Sequence, residues 1–147
     1  MKNSKFLLAL IVVFVAMMAV GFLQYGLLMK DFYKDNAGIS GDLYTQVFRS
    51  MEQMDWTTGI LSTVAAALLL TTVLVWGGFT STAAGAKAGA VVCMLVGIIV
   101  DFGLMSYTHL GTMKVGLVDI VVNIAVGAIV GALGGMVLSK GTSMATA

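Results

Sequence analysis

The sequence predicts an all-α protein: an integral membrane four-helix bundle with a short amphipathic surface helix between the first two spans. Of its 147 residues, 59% are hydrophobic and 10% are charged, whereas roughly 25% are charged in an ordinary soluble domain. The mean hydropathy is +1.01. Four windows also reach the length of about 20 mainly apolar residues that a helix needs to cross a bilayer.

These windows define one membrane domain over residues 1–147, with spans at about 6–29, 56–79, 86–105 and 115–138. Lys2 and Lys5 precede the first window, so a secretory signal is an alternative there. Its apolar stretch is longer than the roughly 7–15 residues of a signal core. We therefore interpret it as a retained helix.

Residues 30–55 form the extramembrane segment. Asp35 to Gly38 has the composition of a turn, and Ser40 follows as a candidate N-cap. Apolar side chains then recur at helical spacing, which predicts an amphipathic helix on the membrane surface. This helix either covers the end of the bundle or acts as a lid or docking element. Its polar face is not predominantly basic, as that of a membrane-active helix usually is, which favours the covering role. The apolar side chains that recur at helical spacing are Leu43, Tyr44, Val47, Phe48, Met51 and Met54.

Four spans place both termini on one side of the membrane. The basic residues divide equally between the sides, so their number does not decide the orientation. Because Lys2 and Lys5 flank the first span, we expect a plasma-membrane protein with cytoplasmic termini. The terminal side holds Lys2, Lys5, Lys87 and Lys140, and the opposite side holds Lys30, Lys34, Arg49 and Lys114.

Small residues recur at every fourth position in the third and fourth spans, on one face of each helix. The two stripes are mirror-related about Leu110, which predicts a helical hairpin with glycine-zipper packing. Close backbone approach is a main source of helix association in lipid. The predicted packing residues are Gly85, Gly89, Gly97, Gly127, Gly131 and Gly135.

The same register brings Asp101 opposite Asp119, and these are the carboxylates inside the predicted spans. An acid at membrane depth is costly and is a candidate functional residue. By helical rise the two lie roughly 7–9 Å inside the helix ends. We predict a shallow polar pocket that opens to the non-terminal side and is lined by Asp101, Asp119, Asn123, Gln24, Tyr25 and Ser106.

Two adjacent carboxyl groups share a proton, bind a cation, or are neutralised by a base, for which Lys114, His109 and Lys30 are candidates. A structural hydrogen-bond network, a site for a small ligand or cation, and simple interfacial exposure are the alternatives for the pair. His109 is more typical of a solvated loop residue than of a metal ligand. We expect no metal site and no cofactor.

Other function classes have little support in the sequence. The net charge of +1 and the absence of a basic cluster disfavour nucleic-acid binding. Cys93 is the single cysteine, which excludes an internal disulfide or a CxxC redox pair. The HExxH, GxSxG and phosphate-loop motifs are missing, so we expect no enzymatic activity.

The remaining hypotheses are an accessory or ligand-binding membrane subunit and, as the alternative, a proton- or cation-linked transporter or channel for a small solute. The partners expected are the lipid bilayer and a homo-oligomer or larger membrane complex. A transport path needs polar groups near the membrane midplane. The terminal-side halves of the spans offer few, so the subunit hypothesis is favoured.

The overall plan resembles small, uncharacterised bacterial inner-membrane proteins of about 130 to 150 residues, grouped as families of unknown function. The resemblance lies in a first span that ends in glycine and aromatic residues, then a polar segment, then three closely spaced spans with a glycine-rich end. The matching stretches are Gly21-Phe22-Leu23-Gln24-Tyr25-Gly26 and Val126 to Gly135. The resemblance implies the four-span plan and no activity or site residues.

Overall fold

The computed structural model describes residues 2–139, and all the regular structure there is helical. Lys140, which entered the prediction of orientation, lies outside these residues. The chain forms α1 (Lys2–Gly21), a π-helical segment (Phe22–Leu28), α2 (Lys30–Asn36), α3 (Gly41–Val47), a short 3₁₀ turn (Met51–Gln53), α4 (Trp56–Trp76), α5 (Thr82–Tyr107) and α6 (Met113–Ser139).

Four helices are long and apolar enough to cross a membrane, which identifies a multi-pass membrane protein by length and composition. They cover Ser4–Leu28, Trp56–Trp76, Thr82–Tyr107 and Met113–Ser139. The predicted spans differ from them by a few residues at their ends, for local reasons. α4 ends before Gly77 because Gly78 adopts a φ of +67°, and α5 begins early because the Ser81 hydroxyl accepts a hydrogen bond from the Ala84 N–H at 3.2 Å.

α5 and α6 form an antiparallel hairpin with the most extensive helix contact in the described residues, and α1 packs against α6 and α4. Glycine lets the hairpin backbones touch. A Cβ atom added at Gly89 would lie 2.8 Å from the Cα of Gly131, and one at Gly85 would lie 3.0 Å from the Cα of Gly135. The structure thus brings the two predicted stripes together in the mirrored register.

A second packing region lies where α1, α4 and α6 meet. There Gly134 of α6 faces Leu74 and Val13, since an added Cβ would lie 2.7 Å and 3.0 Å from their methyl carbons. The buried apolar side chains are Ala9, Val13, Ala67, Leu70, Leu74, Val130 and Leu138. This core occupies the half of the molecule away from residues 30–55, so the polar site described below lies outside it.

Residues 30–55 differ from the prediction. Asp35 and Asn36 are the last residues of helix α2, where the Asn36 amide donates to the Phe32 carbonyl at 2.8 Å, so the bend comes later than predicted, at residues 37–39. The predicted amphipathic helix is divided into α3 and the 3₁₀ turn, since the backbone is extended at Phe48 and Ser50. Ser40 precedes α3, but its side chain makes no capping hydrogen bond.

Candidate ligand-binding site

The site is built on α6, where Asp119 and Asn123 lie one turn apart. The Asn123 Nδ2 donates to Asp119 Oδ2 at 2.9 Å. Opposite them, α5 presents Gly97, and a Cβ atom added there would lie 2.6 Å from the Asn123 Nδ2. The absence of a side chain at Gly97 therefore makes room for the Asn123 amide, which in turn holds the Asp119 carboxylate.

Two tyrosines complete the hydrogen bonds to Asp119. The Tyr25 hydroxyl donates to its Oδ1 at 3.3 Å, and the Tyr33 hydroxyl donates to the same oxygen. The two rings stack with their centroids 5.3 Å apart, while the Gln24 amide donates to the Tyr33 hydroxyl at 3.4 Å. Asp119 is 6% exposed, so its burial is compensated by three side-chain donors.

The π-helical segment at the end of the first span carries Gln24 and Tyr25. Its wider turns are marked by the hydrogen bond from the Met29 N–H to the Gln24 carbonyl, at 2.8 Å and five residues apart. Such segments are rare and occur frequently at functional sites. Here the segment carries one tyrosine donor directly and leads into α2, which carries the other.

α2 is tied to the loop between α5 and α6. The Thr112 hydroxyl donates to the Asn36 carbonyl at 2.8 Å, and the Lys114 ammonium donates to the Asn36 Oδ1 at 2.7 Å. The Gly38 N–H also donates to the Leu110 carbonyl at 3.1 Å. These contacts hold Tyr33 over the site. Burial, together with the hydrogen bond to Asp119, raises the pKa of Tyr33, which keeps its hydroxyl protonated as a donor.

Asp101 lies one helical turn after Gly97 on α5, which faces Asn123 of α6, and it lines the same cavity as Asp119. Its Oδ2 is buried and receives no hydrogen bond from any residue that the structure describes. A bond between two carboxyl groups requires a proton on one of them. Asp101 is thus an acceptor that needs either a shared proton or a donor from outside the chain.

Asp101 and Asp119 line a cavity of about 870 Å³, within the range of small-molecule sites in proteins. Its apolar wall contains Leu104 and Met105 of α5 with Leu110 and Val115. Tyr44 and Phe48 line it from the extramembrane segment, with their ring centroids 4.7 Å apart. Lys30, Lys34 and Arg49 complete the lining with positive charge.

Most of the predicted site residues come together. Asp101, Asp119 and Tyr25 line the cavity, and Asn123 and Gln24 support it through hydrogen bonds. Ser106 does not reach it, because this exposed side chain donates to the Gly103 carbonyl of its own helix at 2.7 Å. Of the predicted counter-charges, Lys114 binds Asn36 and lies 5.6 Å from the Phe32 ring centroid.

Sequence reasoning missed Tyr33, Lys34, Arg49 and the aromatic pair of the extramembrane segment as parts of the site. One signal was present for α2: residues 30, 33, 34 and 37 have the spacing of a single helix face, but the interpretation of residues 35–38 as a turn concealed it. No three His, Cys, Asp or Glu side chains among residues 2–139 lie close enough together to hold a metal ion.

Comparison with known proteins provides no relative on which to base the site. No protein-family model, no curated protein and no solved structure matches this chain. The resemblance to uncharacterised inner-membrane proteins remains a prediction, and the function has to be argued from the geometry of the cavity.

Proposed function

We propose that this chain is a non-enzymatic, ligand-binding or accessory protein of the bacterial inner membrane that holds a small ligand in the cavity beside Asp101 and Asp119. One observation carries the proposal: a cavity of about 870 Å³ is lined by Asp101, whose buried Oδ2 has no donor among the described residues. A buried acceptor without a partner is costly, and a bound ligand with a donor group removes that cost.

The finer architecture belongs to the same proposal. The four spans form a bundle with cytoplasmic termini, α5 and α6 associate through a glycine zipper, and α3 lies along the membrane surface over the cavity. The close approach of the glycine backbones supports the zipper. The lining of the cavity by Tyr44 and Phe48 supports the position given to the extramembrane segment.

Ligand retention tests the proposal. The purified full chain is stripped of lipid in detergent, incubated with a total polar lipid extract and examined by native mass spectrometry. We expect the wild type to retain one ligand per chain and the Asp101→Asn variant to retain much less. Asp31→Asn is the matched control, because Asp31 lies on α2 but does not line the cavity. Equal retention in wild type and Asp101→Asn would contradict the proposal.

The alternative, a proton- or cation-linked transporter, has less support. Beyond Asn123, toward the end of α6, the backbones of α5 and α6 touch at Gly89 and Gly131, which leaves no room for a polar path between these two helices. Flux measurements in liposomes separate the two functions. A transporter shows pH- or ion-dependent flux that Asp101→Asn abolishes, whereas a binding protein shows none in either form.

A further inference from the structure

The walls of the cavity carry both positive and negative side chains, and their positions indicate which charged groups a ligand would need. On α2, the residues that line it are Lys30, Tyr33 and Lys34, and Ala37 lines it directly after the helix. Their spacing places them on one helix face, and the two acids of this helix, Asp31 and Asp35, are not among the lining residues. α2 therefore presents two ammonium groups and no carboxylate to the cavity.

Neither lysine is neutralised by the chain itself. Within residues 2–139, the structure gives Lys30 and Lys34 no side-chain hydrogen bond and no ion pair. Arg49 adds a third positive group from the extramembrane segment. Its partner is Asp55 at 3.7 Å, and the two side chains are 64% and 40% exposed. An exposed pair of this kind is weak, so the guanidinium remains available to an anion.

The negative groups lie on α5 and α6. Asp119 already accepts from Tyr25, Tyr33 and Asn123. Asp101 lines the cavity and its Oδ2 accepts no hydrogen bond within the described residues, so it is the acid left to bind a ligand. A ligand ammonium group supplies N–H donors and a positive charge, and charge-assisted hydrogen bonds are the stronger kind. The same cavity thus offers an acceptor for a cation and a group of bases for an anion.

Resting on the proposed function, we infer that the ligand is a zwitterion with an ammonium group bound by Asp101 and a phosphate group bound by Lys30, Lys34 and Arg49. Lysine and arginine are the usual protein partners of phosphate. The apolar wall of Leu104, Met105 and Val115 contacts the carbon atoms between or beside the two charges. This chemistry is that of the phosphoethanolamine group, either in a phospholipid headgroup or as a free molecule.

Three probes test this inference on the full chain in detergent after removal of lipid. Dioleoyl-phosphatidylethanolamine carries both charges, dioleoyl-phosphatidylglycerol carries the phosphate without the ammonium, and free O-phosphoethanolamine carries both charges without acyl chains. Native mass spectrometry measures the retention of each lipid. We expect phosphatidylethanolamine to bind at least about tenfold more tightly than phosphatidylglycerol, as one charge-assisted hydrogen bond predicts.

Variants separate the two ends of the ligand. Asp101→Asn is expected to remove the preference for phosphatidylethanolamine, bringing both lipids to similar affinity. The double variant Lys30→Gln with Lys34→Gln is expected to weaken both lipids by roughly tenfold or more. Lys87→Gln is the matched control, since this lysine lies near the start of α5, at the other end of the molecule, and is expected to change neither affinity.

Competition provides a measurement that needs no variant. Displacement of phosphatidylethanolamine from the wild type by O-phosphoethanolamine supports headgroup recognition and a ligand from either source. Retention of the lipid alone, still with the ammonium preference, supports the same chemistry with the bilayer as the source.

The inference is overturned if the wild type binds phosphatidylglycerol as tightly as phosphatidylethanolamine, or if Asp101→Asn keeps the preference. If phosphatidylglycerol or another lipid is retained and Asp101→Asn releases it, the cavity binds a ligand and only the zwitterion is wrong. If the wild type retains nothing from these probes or from the total lipid extract, the proposed function fails as well.

Discussion

At the scale of single residues, Asp101 and Asp119 illustrate how one residue type acquires two roles. Asp119 is buried and receives hydrogen bonds from Tyr25, Tyr33 and Asn123. Asp101 lies beside it with one buried oxygen that has no donor in the described chain. The first carboxylate organises three helical segments, whereas the second lines the cavity and keeps one buried oxygen without a hydrogen-bond donor in the described chain.

This difference predicts effects of unequal size on the free energy of unfolding. Asp119→Ala is expected to lower the free energy of unfolding by about 3 kcal/mol, because it removes the buried acceptor shared by three part-buried donors, at about 1 kcal/mol for each hydrogen bond. Asp101→Asn is expected to change it by less than about 1 kcal/mol, since the substitution keeps the side-chain volume and the Asp101 Oδ2 accepts no hydrogen bond in the described chain that would be lost. Unfolding in increasing dodecyl sulfate, followed by circular dichroism, measures both. A larger loss for Asp101→Asn than for Asp119→Ala would contradict the assignment.

Thr71 of α4 is a second residue whose polar group has no partner. It is fully buried in the apolar core, and its hydroxyl makes no hydrogen bond to the described residues. Thr71→Val keeps the shape and removes the hydroxyl, so we expect a gain of about 1 kcal/mol. Thr63→Val is the control on the same helix, because the Thr63 hydroxyl donates to Gly59 at 2.9 Å. A stability loss in Thr71→Val would show that its hydroxyl has a partner.

At the scale of helices, the α5–α6 hairpin depends on backbone contact. A Cβ atom at Gly89 would lie 2.8 Å from the Gly131 Cα, and backbone atoms cannot rotate away from it. Gly89→Ala is therefore expected to separate the helices and to cost about 1–3 kcal/mol in unfolding free energy. Gly103→Ala on the same helix is the control, because nothing lies within 4 Å of its added Cβ. There we expect a gain of about 0.5–1 kcal/mol from helix propensity. Equal effects of the two substitutions would argue against the close hairpin.

The start of α4 gives the protein a pH-dependent element. The Asp55 carboxylate accepts from the N–H groups of Thr58 and Thr57 at 3.2 Å and 3.1 Å. These bonds, that from Thr58 foremost, hold the pKa of Asp55 below its ordinary value of 3.8. A lowered pKa means that the stabilisation is present above the ordinary value and is lost as the pH falls through the lowered one.

We therefore expect acidification to destabilise the wild type more than Asp55→Asn, whose amide oxygen caps the helix without titrating. The measurement is the thermal midpoint of both proteins from about pH 6 down to about pH 2, so that the scan covers the ordinary carboxylate range and the lowered pKa of Asp55 below it. Other carboxylates titrate in both proteins, so the difference between the two curves is the readout. Parallel curves would mean that the cap does not contribute.

At the scale of the whole molecule, the polar and apolar contacts are separated along the helix axes. The cavity, its charged lining and the tie from Asn36 to Thr112 and Lys114 lie at the end where residues 30–55 connect the first two spans. The apolar core of α1, α4 and α6 lies toward the other end. Such an arrangement suits a binding site near the membrane surface whose helices are held together by the apolar core at the other end.

The proposed orientation predicts which surfaces reach water on each side. In a Cys93→Ala background, Ser40→Cys is expected to react with a membrane-impermeant maleimide in intact cells, whereas Thr80→Cys is expected to react only after permeabilisation. Both positions are exposed, so a difference in labelling reports the side of the membrane and not burial within the protein. The reverse pattern would place the termini on the outer side, and labelling of both positions in intact cells would contradict the four-span topology.

The four long helices and the facing of Gly89 with Gly131 follow from the sequence, because lipid requires long apolar helices and helical periodicity sets which residues share a face. The juxtaposition of Asp101 and Asp119 follows from the same register. Lys30, a base predicted beside the two aspartates, also lines the cavity, but only the tertiary structure placed Tyr33, Lys34 and Arg49 there and left Ser106 outside it. These residues lie in or beside short helices and loops whose conformation depends on contacts far along the chain, such as that of Asn36 with Lys114. Local periodicity does not encode such contacts, so the positions of Lys34 and Arg49 beside the cavity depend on the tertiary structure.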